Sequence, residues 1–498
     1  MNVNPITRLD YPDPDVIRVE DTYYMVSTTM HFMPGCEILQ SFDLVHWEHV
    51  TYVYEMLDHT DAQQLKSGQN IYGQGMWAAS LRYHEGRFYI CFVANDTRKT
   101  YLYTSEKIDG PWKKQLIEGF YHDGSLLFDE DGRNYIVYGN DEIWITELNE
   151  DLTAPKKDGL HRLLVSDHKN PELGYEGSHI QKINGYYYIF LVHSLRDRWM
   201  RTEACFYSDS LEGEFTGGDV LCDDRGYCGQ GVAQGGIVDT PDGKWYAMLF
   251  QDSGAVGRIP ILLPVTWKDH FPFFGQNGHV PEEIEVHSTR PGYIYQPLVG
   301  SYDFRNGLLP RWQFNHDPDP RYYHLDALQG TYTITTREVC TELTQAVNTL
   351  TQRMSYPSCA AEVTVDASAL KEGDVAGLCA LQSCYAAVGI TKHHGKYEVL
   401  MLDKKEDGIL DMTEGTVVES HQMDFRLEAD FCNMKDEARC YYRVNKGDWL
   451  PIGTVHKLYF KLDHFTGCRF GLFCYAAEET GGSACFRDFK YYDVDEIS

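Results

Sequence analysis

The chain has 498 residues, too many for one ordinary domain, and 13% of them are aromatic, including 35 Tyr. Its formal net charge of -30 excludes a protein built to grip phosphate backbones, which needs clustered Lys and Arg. No run of 18 apolar residues offers a membrane span.

The chain opens with Met1-Asn2-Val3-Asn4-Pro5, which carries no apolar signal segment. The 14 Cys are scattered from Cys36 to Cys485 without a compact framework, which suits free thiols in a reducing compartment. The expectation is a cytoplasmic protein. With no CxxC pair and no HExxH, a zinc site is not expected.

Five copies of one pattern then follow, each a tight-turn pair leading into an aromatic strand. The turn pairs are Glu20-Asp21, Glu85-Gly86, Asp131-Gly132, Asn184-Gly185 and Asp242-Gly243, and a Tyr stands three residues after each. Such pairs supply the positive φ of a short hairpin. Five hairpins spaced roughly 45–65 residues apart predict five β-sheet units around an axis, a propeller. A second signature recurs at Ser41–Trp47, Ser105–Trp112 and Ser208–Phe215: a strand end, a polar turn and an anchoring aromatic in the outer part of a blade.

Counting back from the turns places Asp13, Trp77, Asp123, Glu176 and Gln234 at the starts of the strands that lead into the hairpins. In a propeller those starts converge on one funnel. A core would not collect unpaired carboxylates, because burying them is expensive. Asp13 sits between Pro12 and Pro14, which fix its backbone. Gly177, after Glu176, permits close approach of a ligand or another chain segment. Two carboxyl groups flanking a bond, with a third to tune them, are the equipment of glycoside hydrolysis. Arg258 is a candidate cation for tuning, Trp77 a flat face for a sugar ring, and Phe32 a further wall.

Pro281, Pro291 and Pro297 mark a connection, after which short alternating runs such as Ala361-Glu362-Val363-Thr364-Val365 predict a second all-β unit. The expected architecture is all-β: a five-bladed propeller over residues 1–295 and a concanavalin-like β-sandwich over 301–498. His316-Asp317-Pro318-Asp319 reads as a Pro-punctuated surface turn.

The ordered strings Tyr11-Pro12-Asp13-Pro14-Asp15, Met76-Trp77-Ala78-Ala79, His122-Asp123-Gly124-Ser125 and Tyr175-Glu176-Gly177-Ser178-His179 resemble the blade motifs of glycoside hydrolase family 43. Trp312-Gln313-Phe314-Asn315-His316 resembles the start of the sandwich in its two-domain members. The resemblance implies an inverting exo-hydrolase that removes terminal α-L-arabinofuranosyl or β-D-xylosyl units from hemicellulose fragments. It implies Asp13 as general base, Glu176 as general acid, and Asp123 as the group that orients the acid and raises its pKa. Arg258 matches the family's Gly-Arg near the base, and the sandwich is expected to close one side of the pocket.

The resemblance implies no required cofactor. Gln234 stands where many members carry a His that binds water or a central cation, which weakens the case for a structural cation on the axis. The loop from Met30 to Pro34 departs from the family's β-xylosidase type and tilts the expectation toward arabinofuranosidase activity. The expected partner is an oligosaccharide, with neither nucleic acid nor membrane; members of this architecture often assemble, so a homo-oligomer is compatible. Two alternatives stand beside this reading: a glycan-binding protein without catalysis, for which the carboxylate set has no use, and a retaining propeller glycosidase acting on fructosides.

Overall fold

The computed structural model describes residues 3–493, so the outermost ends of the two expected domains, residues 1, 2 and 494–498, lie outside the described residues. The first half is five antiparallel four-stranded sheets, each built from strands in chain order. Blade 1 runs through Asp15–Val19, Thr22–Val26, Gly35–Ser41 and Glu48–Tyr54. Blades 2 to 5 begin with the inner strands Met76–His84, Ser125–Phe128, Glu176–Ile183 and Val232–Asp239, and blade 5 ends at Phe271–Phe274. Each inner strand neighbours the next, and that of blade 5 neighbours that of blade 1, which closes the ring.

The hairpins fall where the turn pairs place them. Glu85-Gly86 and Asn184-Gly185 both take positive φ at two successive residues, as a two-residue turn between twisted strands requires. The polar turns after Ser41, Ser105 and Ser208 join the third and fourth strands of blades 1, 2 and 4. Their aromatics Trp47 and Phe215 are buried.

Among the described residues no strand is exchanged between the first and last blades to lock the ring. Instead Asn4 clasps blade 5: its side chain accepts from the Leu262 amide at 2.8 Å and donates to the Leu262 carbonyl at 2.7 Å. Ile6 and Tyr11 donate backbone bonds to Pro260 and Arg258 in the same stretch. Residues 275–300 return across blade 1, where Thr289 and Tyr295 bond the backbone of Phe42.

The second half is a sandwich of two antiparallel sheets. One contains, in order, Gln313–Asn315, Leu350–Arg353, Arg469–Tyr475, Val375–Leu381, Ala386–His393 and Lys396–Lys404. The other places Ser483–Asp493, Ser358–Asp366, Gln422–Asp430 and Glu437–Val444 side by side. Leu472, Val388, Val363 and Phe425 fill the space between them.

The two halves are not beads on a string. Phe32–Met33, from the loop inside blade 1, forms an edge strand of the sandwich, pairing with Gln313–Asn315. Ala255, Val256 and Ile259 of blade 5 belong to the sandwich's own hydrophobic core. Sandwich residue Arg353 reaches into the propeller, donating to the Asp10 carbonyl at 3.0 Å and pairing with buried Glu37 at 2.9 Å. The 316–319 stretch is a correction to the expected surface turn: His316, Asp317 and Asp319 are all buried, the first two against the propeller. His316 Nε2 accepts the Ile71 amide at 2.9 Å, and Asp317 meets His59 at 2.7 Å. Among the described residues no helix is long and apolar enough to cross a membrane.

Candidate active site

Each inner strand enters the axis through an irregular turn, and one residue of each entry takes left-handed backbone. These are Asp13 (φ 52°), Ala78 (23°), Asp123 (48°), Gly177 (67°) and Gln234 (64°). For residues other than glycine this conformation costs roughly 1–2 kcal/mol, so four such residues at one level mark a shared constraint. Register shifts in blades 2, 4 and 5 fall at the same level.

The sequence count merged two adjacent rows. The left-handed residues form one row. The preceding residues, Pro12, Trp77, His122, Glu176 and Ala233, form another. Asp13, Asp123 and Gln234 come from the first row, Trp77 and Glu176 from the second. All five nonetheless face one cavity of about 440 Å³, within the usual range for small-molecule sites.

A third row, two residues further on, holds the blades together below this cavity. Asp15, Ser80 and Ser125 accept the backbone amides of Leu81, Leu126 and Ile180, each in the following blade, at 2.7, 3.2 and 3.0 Å. Arg82 crosses the axis and donates to Asp15 at 2.8 Å and to Ser125 at 2.7 Å. His179 lies 3.1 Å from the other Asp15 oxygen. The guanidinium already answers the charge of Asp15, so these residues do not fit a structural cation on the axis.

Both oxygens of Asp13 are held. Thr28 Oγ1 donates to Oδ2 at 2.6 Å, and Arg258 Nη1 donates to Oδ1 at 3.0 Å. Thr28 in turn accepts the Ala78 amide at 2.9 Å, tying blade 1 to blade 2. Asp123 accepts the Gly177 amide at 2.9 Å, which fixes the residue next to Glu176. Only Gly fits at 177: a Cβ there would lie 2.7 Å from Gln234 Cγ, at a φ that side chains resist. Gln234 is anchored through its backbone amide, which donates to buried Glu203 at 2.7 Å. Asn140 donates to Glu176 Oε2 at 2.8 Å.

His122 is the main site residue missed in the sequence, although it shares its row with Trp77 and Glu176. Its Nε2 stands 3.5 Å from oxygens of both Asp123 and Glu176. Burial opposes its charge, but Asp123, Glu176 and Asp13 outweigh that and push its pKa up to about 9. Burial, reinforced by Glu176 and Asp13 and opposed by His122, raises Asp123 to about 6. Burial also acts to raise Glu176, yet His122, Arg201 and Arg258 bring it below its ordinary value. In the free site His122 and the two arginines set the direction of the Glu176 shift, while Asp123 acts on the neighbouring backbone through the Gly177 amide. His122, Asp123 and Glu176 bring donor atoms within 4.8 Å of one another.

Arg201 and Asp252 also line the cavity and carry no motif of their own. The sandwich supplies Phe460, Leu462 and Phe465. The Phe465 ring packs against Trp77 at 5.4 Å and under the Arg258 guanidinium at 4.4 Å. The expected closure by the sandwich is thus present. Phe32 is a correction. It is fully buried outside this cavity, beneath the Arg469 guanidinium at 3.5 Å, because Met33 is drawn into the sandwich sheet.

A propeller whose axial cavity gathers four carboxyl groups, two arginines and two indoles, and is walled by a sandwich, has the makings of a carbohydrate-cleaving enzyme. The profile of glycosyl hydrolases family 43 matches residues 3–272, and the chain belongs to that family. Residues 301–492 match the β-xylosidase C-terminal concanavalin A-like domain. The chain is 26% identical to a β-xylosidase of Formosa agariphila, over 99% of this chain and 89% of that protein. It is 24% identical to a non-reducing end α-L-arabinofuranosidase of Bacteroides ovatus, over 82% of this chain and 79% of the relative. Among solved structures, a bifunctional GH43-CE protein of Bacteroides eggerthii superposes with a TM-score of 0.92 at 42% identity, covering 99% of this chain. The chain spans 64% of the length of that neighbour. The chain is thus a family 43 glycoside hydrolase whose relatives include proteins named β-xylosidase and α-L-arabinofuranosidase.

Proposed function

We propose that the enzyme removes single α-L-arabinofuranosyl or β-D-xylosyl residues from the ends of hemicellulose-derived oligosaccharides, with inversion. Asp13 accepts a proton from the attacking water, and Glu176 donates one to the departing oxygen. Inversion requires room for that water, with the carboxyl groups roughly 6.5–9.5 Å apart. Asp13 suits the base role because Arg258 and Thr28 leave it one fixed orientation. Asp123 positions the acid through the Gly177 amide, and Trp77 offers its face to the terminal sugar.

The observation that carries this reading is the joint wall of the cavity: Asp13 and Glu176 share a space that Phe465 and Leu462 of the sandwich close on one side. A closed side suits a chain end better than the middle of a polymer. The curated relatives named β-xylosidase and α-L-arabinofuranosidase support the same substrate class. All fourteen cysteines are free thiols, which supports a cytoplasmic setting and short imported substrates.

The test is sugar release from nitrophenyl α-L-arabinofuranoside and β-D-xyloside by wild type, Asp13→Asn and Glu176→Gln, with the first-formed anomer read by NMR. Turnover by wild type, a loss of about 10²-fold or more in each variant, and an inverted first product are expected. Binding without turnover by wild type would favour a glycan-binding protein. A retained anomer would overturn the mechanism.

A further inference from the structure

Arg201 opens the third strand of blade 4, paired with Ser194, as Arg258 opens the third strand of blade 5, paired with Asp252. The two arginines therefore hold the same place in successive blades. Each reaches into the following blade for a carboxylate: Arg258 to Asp13 at 3.0 Å, Arg201 Nε to Asp252 at 2.9 Å. They flank one ring, Phe250, with guanidinium carbons 5.3 and 5.2 Å from its centroid.

They differ in what they leave free. Arg258 has Nε and Nη2 sealed in protein without a partner. Arg201 is only 7% exposed and lines the cavity, yet among the described residues neither of its terminal nitrogens donates to a protein group. An arginine held rigidly by its Nε, with its outer fork unpaired, is prepared for a ligand that brings two adjacent acceptors. Its charge already bears on Glu176.

The chain then turns outward. Trp199 stands with its ring 5.3 Å from the Arg201 guanidinium carbon and is 45% exposed at the cavity mouth. Leu462 of the sandwich, 74% exposed, lines the same mouth. A donor fork at the base and an apolar plate at the rim match a sugar ring, which has hydroxyls at its edge and C–H groups on its face.

We propose that Arg201 and Trp199 form the subsite for the leaving-group sugar: the Arg201 fork takes a pair of neighbouring hydroxyls, and Trp199 covers the ring. Assignment to the leaving-group side rests on Glu176 as the acid and on Trp199, which stands exposed at the mouth of the cavity that Glu176 and Arg201 line. The ligand is a neutral glycosyl unit with a vicinal diol, so the enzyme reads the second residue of its substrate as well as the terminal one.

The experiment uses full-length Glu176→Gln protein, so that bound sugar is not consumed. Calorimetry measures the affinity for xylobiose and arabinosyl-xylobiose, and for D-xylose and L-arabinose. Arg201→Met and Trp199→Ala, each checked for an unchanged melting temperature, are added in turn. The expected result is that each addition weakens binding of the better oligosaccharide about tenfold, while binding of the matching monosaccharide changes less than twofold. Arg201→Lys, which keeps the charge but not the fork, should fall between. Equal losses on oligosaccharide and monosaccharide, no loss on either, or no binding of any of the four sugars would overturn the proposal. If the wild-type protein releases no sugar while the binding split persists, the hydrolytic reading and the leaving-group assignment fall, and binding of a second sugar by Arg201 and Trp199 stands.

Discussion

Arg258 Nη1 donates to Asp13 Oδ1 at 3.0 Å across 245 residues of sequence. One bond thereby joins the last blade to the first and fixes the carboxylate assigned to activate water. Arg258→Met removes both functions and leaves Asp13 without its buried cation. We expect kcat to fall by about 10²-fold or more, with a smaller change in KM. Steady-state kinetics on the better nitrophenyl glycoside check this. Arg258→Lys should recover only part of the loss, because an ammonium lacks the planar fork.

His122 makes stability depend on alkaline pH. Its folded pKa, about 9, lies above the ordinary 6.5. Its contribution is therefore fully present below pH 6.5 and disappears as pH rises through 9. The shift corresponds to about 3 kcal/mol at most. Melting temperature should decline for wild type from pH 6.5 to 9.5, and the decline should flatten in His122→Gln. Asp123, raised to about 6, acts with the same sign at lower pH: its contribution is complete below 3.8 and is lost as pH climbs through 6.

Arg82 bonds groups from four blades: Asp15, its own neighbour Leu81, Ser125 and Leu126, and the Ile180 carbonyl. Arg82→Met leaves Asp15 buried beside His179 alone. Breaking a buried pair on one side typically costs about 3–5 kcal/mol. We expect a loss of that order in denaturant unfolding, larger than for Arg82→Met combined with Asp15→Asn.

Phe465→Ala should open the wall shared by Trp77 and Arg258. We expect KM to rise about tenfold with the fold retained, on the scale of about 1.4 kcal/mol for a lost apolar contact. Circular dichroism and kinetics on the same preparation distinguish this from unfolding.

The propeller was legible because its hairpins announce themselves in pairs such as Asn184-Gly185, and the carboxylates because each opens a repeat. The register was not, because the residues that face the cavity come from two adjacent rows, Asp13, Asp123 and Gln234 from one and Trp77 and Glu176 from the other, and no spacing rule separates the two. That mixture hid His122. Arg201 escaped notice because its partner, Asp252, is 51 residues away and no motif links them. Phe465 lies in a sandwich loop whose sequence gives no sign that it faces Trp77. Phe32 was misplaced for a related reason: whether a loop aromatic faces a cavity or is absorbed by another sheet depends on residues almost 300 positions downstream.

Because Phe32–Met33 completes a sheet begun by Gln313–Asn315, the boundary between the two family segments is not a place where the molecule can be cut and rejoined. A chimera that imports another relative's C-terminal half must import its counterpart of the 30–34 loop as well. The inheritance of the two halves is thereby linked, and drift in one selects for matching drift in the other.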